Sequence, residues 1–498
     1  MAVSHKGSGQ QDSAGAQTAY DEVPYISGAR AATSIDRLAS LGRLLGIATA
    51  DPHACRVLEL GCGDGGNLIP MAISFPGSEF VGIDLAPTAI ERGRLAVGEL
   101  GVGNVSLLTG AFADVDASYG AFDYVIAHGI YSWVPPSARD DLLAAVRQRM
   151  MPDGIAFVSY NALPGSHIRG VLREMMVHHT RHITDPATKI AEARGLLSML
   201  MQAPAQAGDV YRPLLQSDVG IAMRSSDYLL YHDDLADVNQ PFFFGEFMAD
   251  AHRHGLQFAA EANFSQMSTE SVPAEVAEQL NELGSRDILA KEQYLDFMTC
   301  RSFRQTLLCH KEVQVDRQVT LDRVRELRMA SDARETSADP ASGAVGFSSP
   351  NTSALRTDHS AAIAALRMLG AAFPRSIPFD DLAVDSGVVT IAEAETLAEV
   401  LYRAATVGLV SLHVSEPPAV FAVSERPLAS AWARRRASSG RVVNLYHESL
   451  TLGDGQAEIL ELLDGAHTLA GIATALACDE SAIATEIADF AAKGLLLG

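Results

Sequence analysis

The stretch from Arg56 to Asn67, RVLELGCGDGGN, constrains this chain most: a short apolar run passes into three glycines within five residues and then into a helical pattern. That is a buried strand, a tight turn and the start of a helix. Gly61, Gly63 and Gly65 let the backbone turn sharply and come close to a ligand, and Glu59 at the strand end can accept hydrogen bonds from a cationic group. A second strand, 79–83, ends at Asp84, about 20 residues past the turn, where a carboxylate takes the ribose hydroxyls of an adenosine. An incidental glycine turn that binds nothing is disfavoured, because clustered glycines weaken the helix start they precede.

Gly61, Gly63 and Gly66 also satisfy the dinucleotide fingerprint G-x-G-x-x-G. The acidic residue two before the first glycine argues against it. Glu59 would repel a pyrophosphate and attract the α-ammonium of a sulfonium amino acid, so S-adenosylmethionine is the favoured cofactor over a nicotinamide. The residues expected to hold it are Glu59, Gly61, Cys62, Gly63, Asn67, Asp84, Leu85, Ala111, Phe112 and His128.

With 498 residues and 48% hydrophobic content the chain has room for two or three domains. No uncharged apolar run approaches the 18 residues of a membrane helix, and residues 1–18 are polar and Gly/Ser-rich, read as a disordered tail rather than a signal peptide. Five cysteines without a C-x-x-C suggest neither a disulfide frame nor a structural zinc, and a cytoplasmic location follows. A net charge of −23 opposes a nucleic-acid partner. Arg434, Arg435, Arg436 and Arg441 form the one basic cluster and read as a solvated surface.

Strands are expected at 56–60, 79–83, 104–108, 122–127 and 154–160, alternating with helices, which gives a mainly parallel sheet covered on both faces. The loops after the third and fourth strands, with Ala111, Phe112 and His128, should face the cofactor. A helix from about 137 to 151 is expected to stop at Pro152, Asp153 and Gly154. A helical insertion over 166–240 follows, with Ile168, Val171, Leu172, Met175, Met176 and His179 on one apolar face. His178 and His182 stand four apart without a third ligand, so no metal is expected. The core should resume over 241–325 with a helix, strand 256–261 and an antiparallel last strand near 303–310. Residues 326–357 read as a linker. Two winged-helix-like modules over 358–498 follow, each closing on a glycine-leucine strand at 407–410 and 493–496. This region holds 18 acidic and 9 basic side chains, which favours docking or dimerisation over DNA binding.

The sequence resembles the bacterial class I methyltransferases that carry a methyltransferase regulatory domain, a group that includes protein-lysine methyltransferases acting on outer-membrane proteins. The resemblance rests on residues 20–25, 57–67, 128–135, 159–165, 239–242, 292–297 and 303–308. It implies a Rossmann-like seven-stranded sheet with an antiparallel last strand, the helical insertion over 166–240 as the regulatory domain, and a C-terminal winged-helix-like α+β domain. It does not fix the acceptor. Tyr160, Tyr131, His128, Asn161 and Trp133 are the candidates for shaping the methyl-transfer site, with Tyr20, Tyr25 and Trp133 closing over a substrate. The loop after the fourth strand lacks the Asn/Asp-Pro-Pro-aromatic sequence expected of amide- or base-methylating enzymes. A protein substrate is therefore favoured, lysine above all. A small-molecule acceptor and a noncatalytic cofactor-sensing protein are the alternatives, and a homodimer is compatible with either.

Overall fold

The computed structural model describes residues 22–23, 25–202, 211–270, 272–339, 341–349 and 354–497. The expected N-terminal tail and Tyr20 lie outside them. β1 (Arg56–Leu60), β2 (Glu79–Asp84), β3 (Val105–Thr109), β4 (Phe122–Ala127), β5 (Met150–Asn161), β6 (Leu256–Glu261) and β7 (Phe303–His310) form one sheet in the order β3-β2-β1-β4-β5-β7-β6. β7 runs antiparallel to both of its neighbours, and the pairs among β1 to β5 are parallel. Both faces are covered, so the central strands read as continuous apolar runs. Val57, Phe80, Tyr124 and Phe157 point into one core layer. Leu58, Val81, Val125 and Val158, one residue on in each strand, point into the other.

Strand order reverses between β1 and β4, which opens the crevice for a ligand at their carboxyl ends. The helix before β5 spans Pro136–Arg149, and Pro152 to Gly154 do not end it. They lie inside β5, where Met150 already pairs with Phe122 across an irregular register. Pairing with the start of β4 captures the chain there before the helix could extend.

Helices Ser166–Thr180, Pro186–Gln202 and Tyr211–Arg224 build the insertion around a small core of Leu172, Met176, Ile190, Leu197 and Val219. Of the expected apolar face on its first helix, Leu172 and Met176 are buried and Met175 half-buried, whereas Ile168, Val171 and His179 are exposed. The narrow three-helix packing reaches only a one-turn stripe.

Residues 326–357 are not a linker. Strands Arg328–Ala330, Arg334–Ala338, Val345–Ser348 and Leu355–Thr357 form here, and Met329 pairs with Ile377 and Leu412 from the following module. Phe347 is 1% exposed. Few apolar residues suffice because Met329, Val345 and Phe347 are enough to join a core supplied mainly by helices Ser360–Ala372 and Ile391–Thr406, while strand Arg334–Ala338 stays exposed. The glycine-leucine segments are turns rather than strands: Gly408 and Gly494 take φ of 79° and 70°, and the strand after the first begins only at Ser411. The final module combines the hairpin Arg441–Val443/Ser449–Thr451 with helices ending at Glu480–Ala492. Its Trp432 and Val443 pack into the core of the N-terminal sheet. Among the described residues no helix is long and apolar enough to cross a membrane.

Candidate functional site

At the β1 turn Gly61, Gly63 and Gly65 have φ of 76°, 56° and 77°. A Cβ on Gly61 would stand 2.3 Å from Cδ1 of Ile130, so the turn and the loop after β4 fit together only without a side chain there. Gly61→Ala adds about 1–2 kcal/mol of left-handed strain and displaces Ile130. Its donor affinity, measured by calorimetry, is expected to fall at least about tenfold, with the melting temperature lowered by a few degrees.

Asp84 binds the same turn from β2. Its Oδ2 accepts the amide of Gly63 at 2.9 Å and its Oδ1 that of Ala86 at 2.9 Å. Leu85 beside it is 55% exposed, an apolar side chain at the rim where an adenosine would lie. Ala111 and Phe112 are half-buried in the loop after β3, Phe112 packed on the core. Cys62 is buried, with its sulfur against Gly82 of β2.

Glu59 is 4% exposed. Its Oε1 accepts Nδ2 of Asn67 at 2.9 Å, and its Oε2 is buried with no hydrogen-bond partner among the described residues. Burial, against the Asn67 hydrogen bond and with the charge of Asp84 adding to it, pushes the carboxyl up to about 8. A buried carboxylate oxygen without a donor is the complement of an incoming ammonium.

The segment before the core covers the turn. Ser27 Oγ accepts the amide of Gly66 at 2.8 Å and donates to Asp64, and the amide of Arg30 donates to Oδ1 of Asn67 at 3.1 Å. The side chain of Arg30 lies near Tyr25, Asp233 and His128. Tyr25 meets Tyr228 and His232 of the insertion edge to face, at 5.4 Å and 5.7 Å, and burial pushes its hydroxyl up to about 12. His128 is held at 3.1 Å from Ser159 Oγ, which accepts the amide of Gly129. Burial first, and the charge of Arg30 second, push its imidazole down to about 3, so it is a neutral side chain.

Asn161 ends β5. Its Nδ2 donates to Asn239 Oδ1 at 2.9 Å, and Asn239 donates to the carbonyl of Asp233 at 2.8 Å. The Asn161 Oδ1 accepts no hydrogen bond from any described residue. Trp133 is half-buried, and its indole N–H has no partner among the described residues.

Two expected site residues belong instead to the core. Tyr160 is fully buried, stacked on Phe247 at 4.1 Å with its hydroxyl 3.3 Å from Thr306. Tyr131, also fully buried, donates to Asp250 at 2.6 Å and packs on Phe242 and Phe247. Both hydroxyls find partners within the fold because the two side chains turn toward the helix Phe244–Arg253, an orientation that position along the chain alone does not reveal.

Sequence reasoning missed Ser27, Arg30, Asp233 and His447. Asp233 lies in a π-helical turn, Leu230–Asp234, a distortion frequent at functional sites. Its carboxyl is pushed up to about 6 by burial and by Asp234, against Arg30 and Arg169. The adjacent Asp233 and Asp234 in an otherwise apolar and aromatic run were the available signal.

A seven-stranded sheet of this order, with this glycine turn and this pair of carboxylates, defines a class I S-adenosylmethionine-dependent methyltransferase domain. The chain belongs to the family of such methyltransferases that carry a methyltransferase regulatory domain. Family models match at 57–154 (methyltransferase domain), 226–310 (predicted methyltransferase regulatory domain) and 425–489 (PKMT, C-terminal winged helix domain). The regulatory model thus spans β6 and β7 and reaches the insertion only through residues 226–240. The uncharacterized protein RP789 of Rickettsia prowazekii is 38% identical over 62% of this chain, and the chain spans 56% of that relative's length. RP028 of the same organism is 32% identical over 47% of this chain and 94% of its own length. The structure of PKMT2 from Rickettsia typhi superposes with a TM-score of 0.85 at 26% identity, covering 95% of this chain and 100% of that one. The complex of that protein with AdoHcy superposes at 0.83.

Proposed function

We propose that the chain methylates protein side chains, lysine above all, with S-adenosylmethionine as donor. The bound donor supplies a methyl group already activated on a sulfonium. What this chain must do is hold the donor and present a neutral amine in line with it. Glu59 would take the α-ammonium, Asp84 the ribose, and the half-buried loop of Ala111 and Phe112 would pack on the adenine.

A lysine amine has an ordinary pKa of about 10.4, so only about one in a thousand is neutral near pH 7.4, a deficit of roughly 4 kcal/mol. A partly desolvated rim lowers that cost. His128, held neutral, is not a cation repelling the substrate's ammonium. Asp233 supplies negative charge that attracts one, and the aromatic pair Tyr25 and Tyr228 supplies an apolar wall. The observation that carries the proposal is Asn161: its amide N–H is committed to Asn239, which leaves its carbonyl oxygen at the sheet's end to accept from an amine as the proton leaves. The name PKMT2 of the Rickettsia typhi relative supports the same reading.

The test is incubation with methyl-tritiated donor and dialysed lysate beside an Asp84→Ala control, followed by hydrolysis of labelled bands. A discrete protein band yielding radioactive methyllysine, absent from the control, is the expected result. Label confined to small molecules would sink the proposal in favour of a small-molecule acceptor. With the band in hand, Asn161→Ala is expected to lower kcat about ten- to a hundredfold while leaving donor affinity nearly unchanged.

A further inference from the structure

We infer that His447, a residue of the C-terminal winged-helix module, is a positioning residue of the methyl-donor site: it fixes Asn67, and Asn67 fixes Glu59. The inference rests on the donor site assigned above and extends it to a part of the chain far from the sheet in sequence.

Asn67 opens the helix Leu68–Ser74, a place where an asparagine ordinarily caps the helix with its own side chain. It makes no such cap. Its Oδ1 instead accepts the amide of Arg30 at 3.1 Å, the hydroxyl of Thr33 at 3.0 Å and His447 Nε2 at 2.8 Å, while its Nδ2 donates to Glu59. The Arg30 amide can only donate, which fixes the oxygen on that side. His447 must then carry its proton on Nε2. Its Nδ1 is buried without a partner among the described residues.

The imidazole is buried, and its residue takes φ of 63°, a left-handed backbone uncommon outside glycine. The surrounding loop is seated on the core by two further bonds: Ser74 Oγ to the Leu445 carbonyl at 3.0 Å and Ser449 Oγ to the Ala29 carbonyl at 3.4 Å. A backbone held in a sparsely populated conformation to deliver one buried N–H to one amide is over-determined by its neighbours in the way functional positions are. Without that N–H, Asn67 Oδ1 keeps only the Arg30 amide and the Thr33 hydroxyl, and the Nδ2 donor that orients the Glu59 carboxylate toward an incoming ammonium is held less firmly. The winged-helix module therefore completes the donor site; it is not only an appended recognition element.

The test is titration calorimetry of the full chain with S-adenosylmethionine. His447→Ala is expected to weaken binding about tenfold, the equivalent of one lost hydrogen bond. His447→Gln, whose amide nitrogen reaches where Nε2 stands, should recover to within about threefold of the parent, whereas His447→Asn, which mimics Nδ1, should not. Ser449→Ala, which loosens the same loop without touching Asn67, should bind within about twofold of the parent. If His447→Ala does not fold, the Gln and Asn variants carry the comparison alone. Parent-like binding by His447→Asn, a loss in His447→Gln as large as in His447→Asn, or an equal loss in Ser449→Ala would each overturn the inference. Failure of the parent itself to bind would instead overturn the assignment of the donor site.

Discussion

Arg304→Ala is expected to destabilise the methyltransferase core by about 3–5 kcal/mol, the cost of breaking a buried ion pair by removing one partner. Arg304 is fully buried on β7. Its guanidinium donates to Glu261 at 2.5 Å, to both oxygens of Asp296 at 2.9 Å and to the carbonyl of Glu292 at 2.9 Å, with the Glu292 carboxylate at 3.2 Å. One face lies over the ring of Phe244, 4.0 Å from its centroid. Arg301 approaches Asp296 at 3.2 Å but stays 3.8 Å from Glu292, so it cannot replace four charge-assisted bonds. Three buried acids would be left with Arg301 at the edge of the cluster and the weaker influence of Lys291 and Arg317 on Glu292.

The pH dependence distinguishes this cause from simple loss of packing. Even with Arg304 present, burial raises the Glu292 carboxyl to about 7 and raises that of Asp296. Removing the arginine raises them further. An acid whose folded pKa lies above its unfolded value of about 4 contributes stability below that value and loses it as pH rises through the folded one. The deficit of Arg304→Ala should therefore be smallest near pH 5 and grow toward pH 8 in denaturant melts. A pH-independent deficit would point to a cavity rather than to uncompensated charge. The damage should extend to the site, because Glu261 also accepts the Thr306 hydroxyl at 2.8 Å, and Thr306 meets Tyr160 next to Asn161.

Arg304, Glu292 and Asp296 stand in the stretches on which the family resemblance rests, yet nothing in their spacing announces a buried ionic cluster. What was legible was local. The alternation of strand and helix, the glycine turn, Glu59 and Asp84 follow from periodicity and from backbone conformations that few residues allow. Even the split of the sheet around an insertion could be read, because β6 and β7 have the same short apolar signature as the early strands. Side-chain direction was not legible. Tyr131 follows β4 and Tyr160 stands at the end of β5, as expected of site residues, but the aromatic helix Phe244–Arg253, more than 80 residues further on, draws them inward. The strands within 326–357 were hidden because their apolar partners come from helices outside that stretch, so local composition looked like a linker. His447 was unreadable for the same reason: its partner, Asn67, is 380 positions away.

Glu59→Gln should make the ligand-free protein more stable and its donor binding far weaker. Burial holds this carboxyl up at about 8, whereas in the unfolded chain it ionises near pH 4.3. The fold thus favours the neutral acid, and the stability that preference provides is present at low pH and lost progressively between about pH 4 and pH 8. A glutamine is neutral throughout and keeps an acceptor for the Asn67 amide. The variant's gain in melting temperature should be near zero at pH 4 and reach a few degrees at pH 8, on the order of 1–3 kcal/mol. Binding should move the other way. Losing a buried counter-charge to an ammonium costs about 2–5 kcal/mol, so the dissociation constant for S-adenosylmethionine should rise roughly a hundredfold. Between pH 6 and pH 7.5 the affinity of the parent should increase as Glu59 ionises, and that of the variant should stay flat. Calorimetry at several pH values beside ligand-free thermal melts checks both halves. A variant that melts lower than the parent at pH 8, or one that binds the donor as the parent does, would show that Glu59 serves the fold and not the ligand.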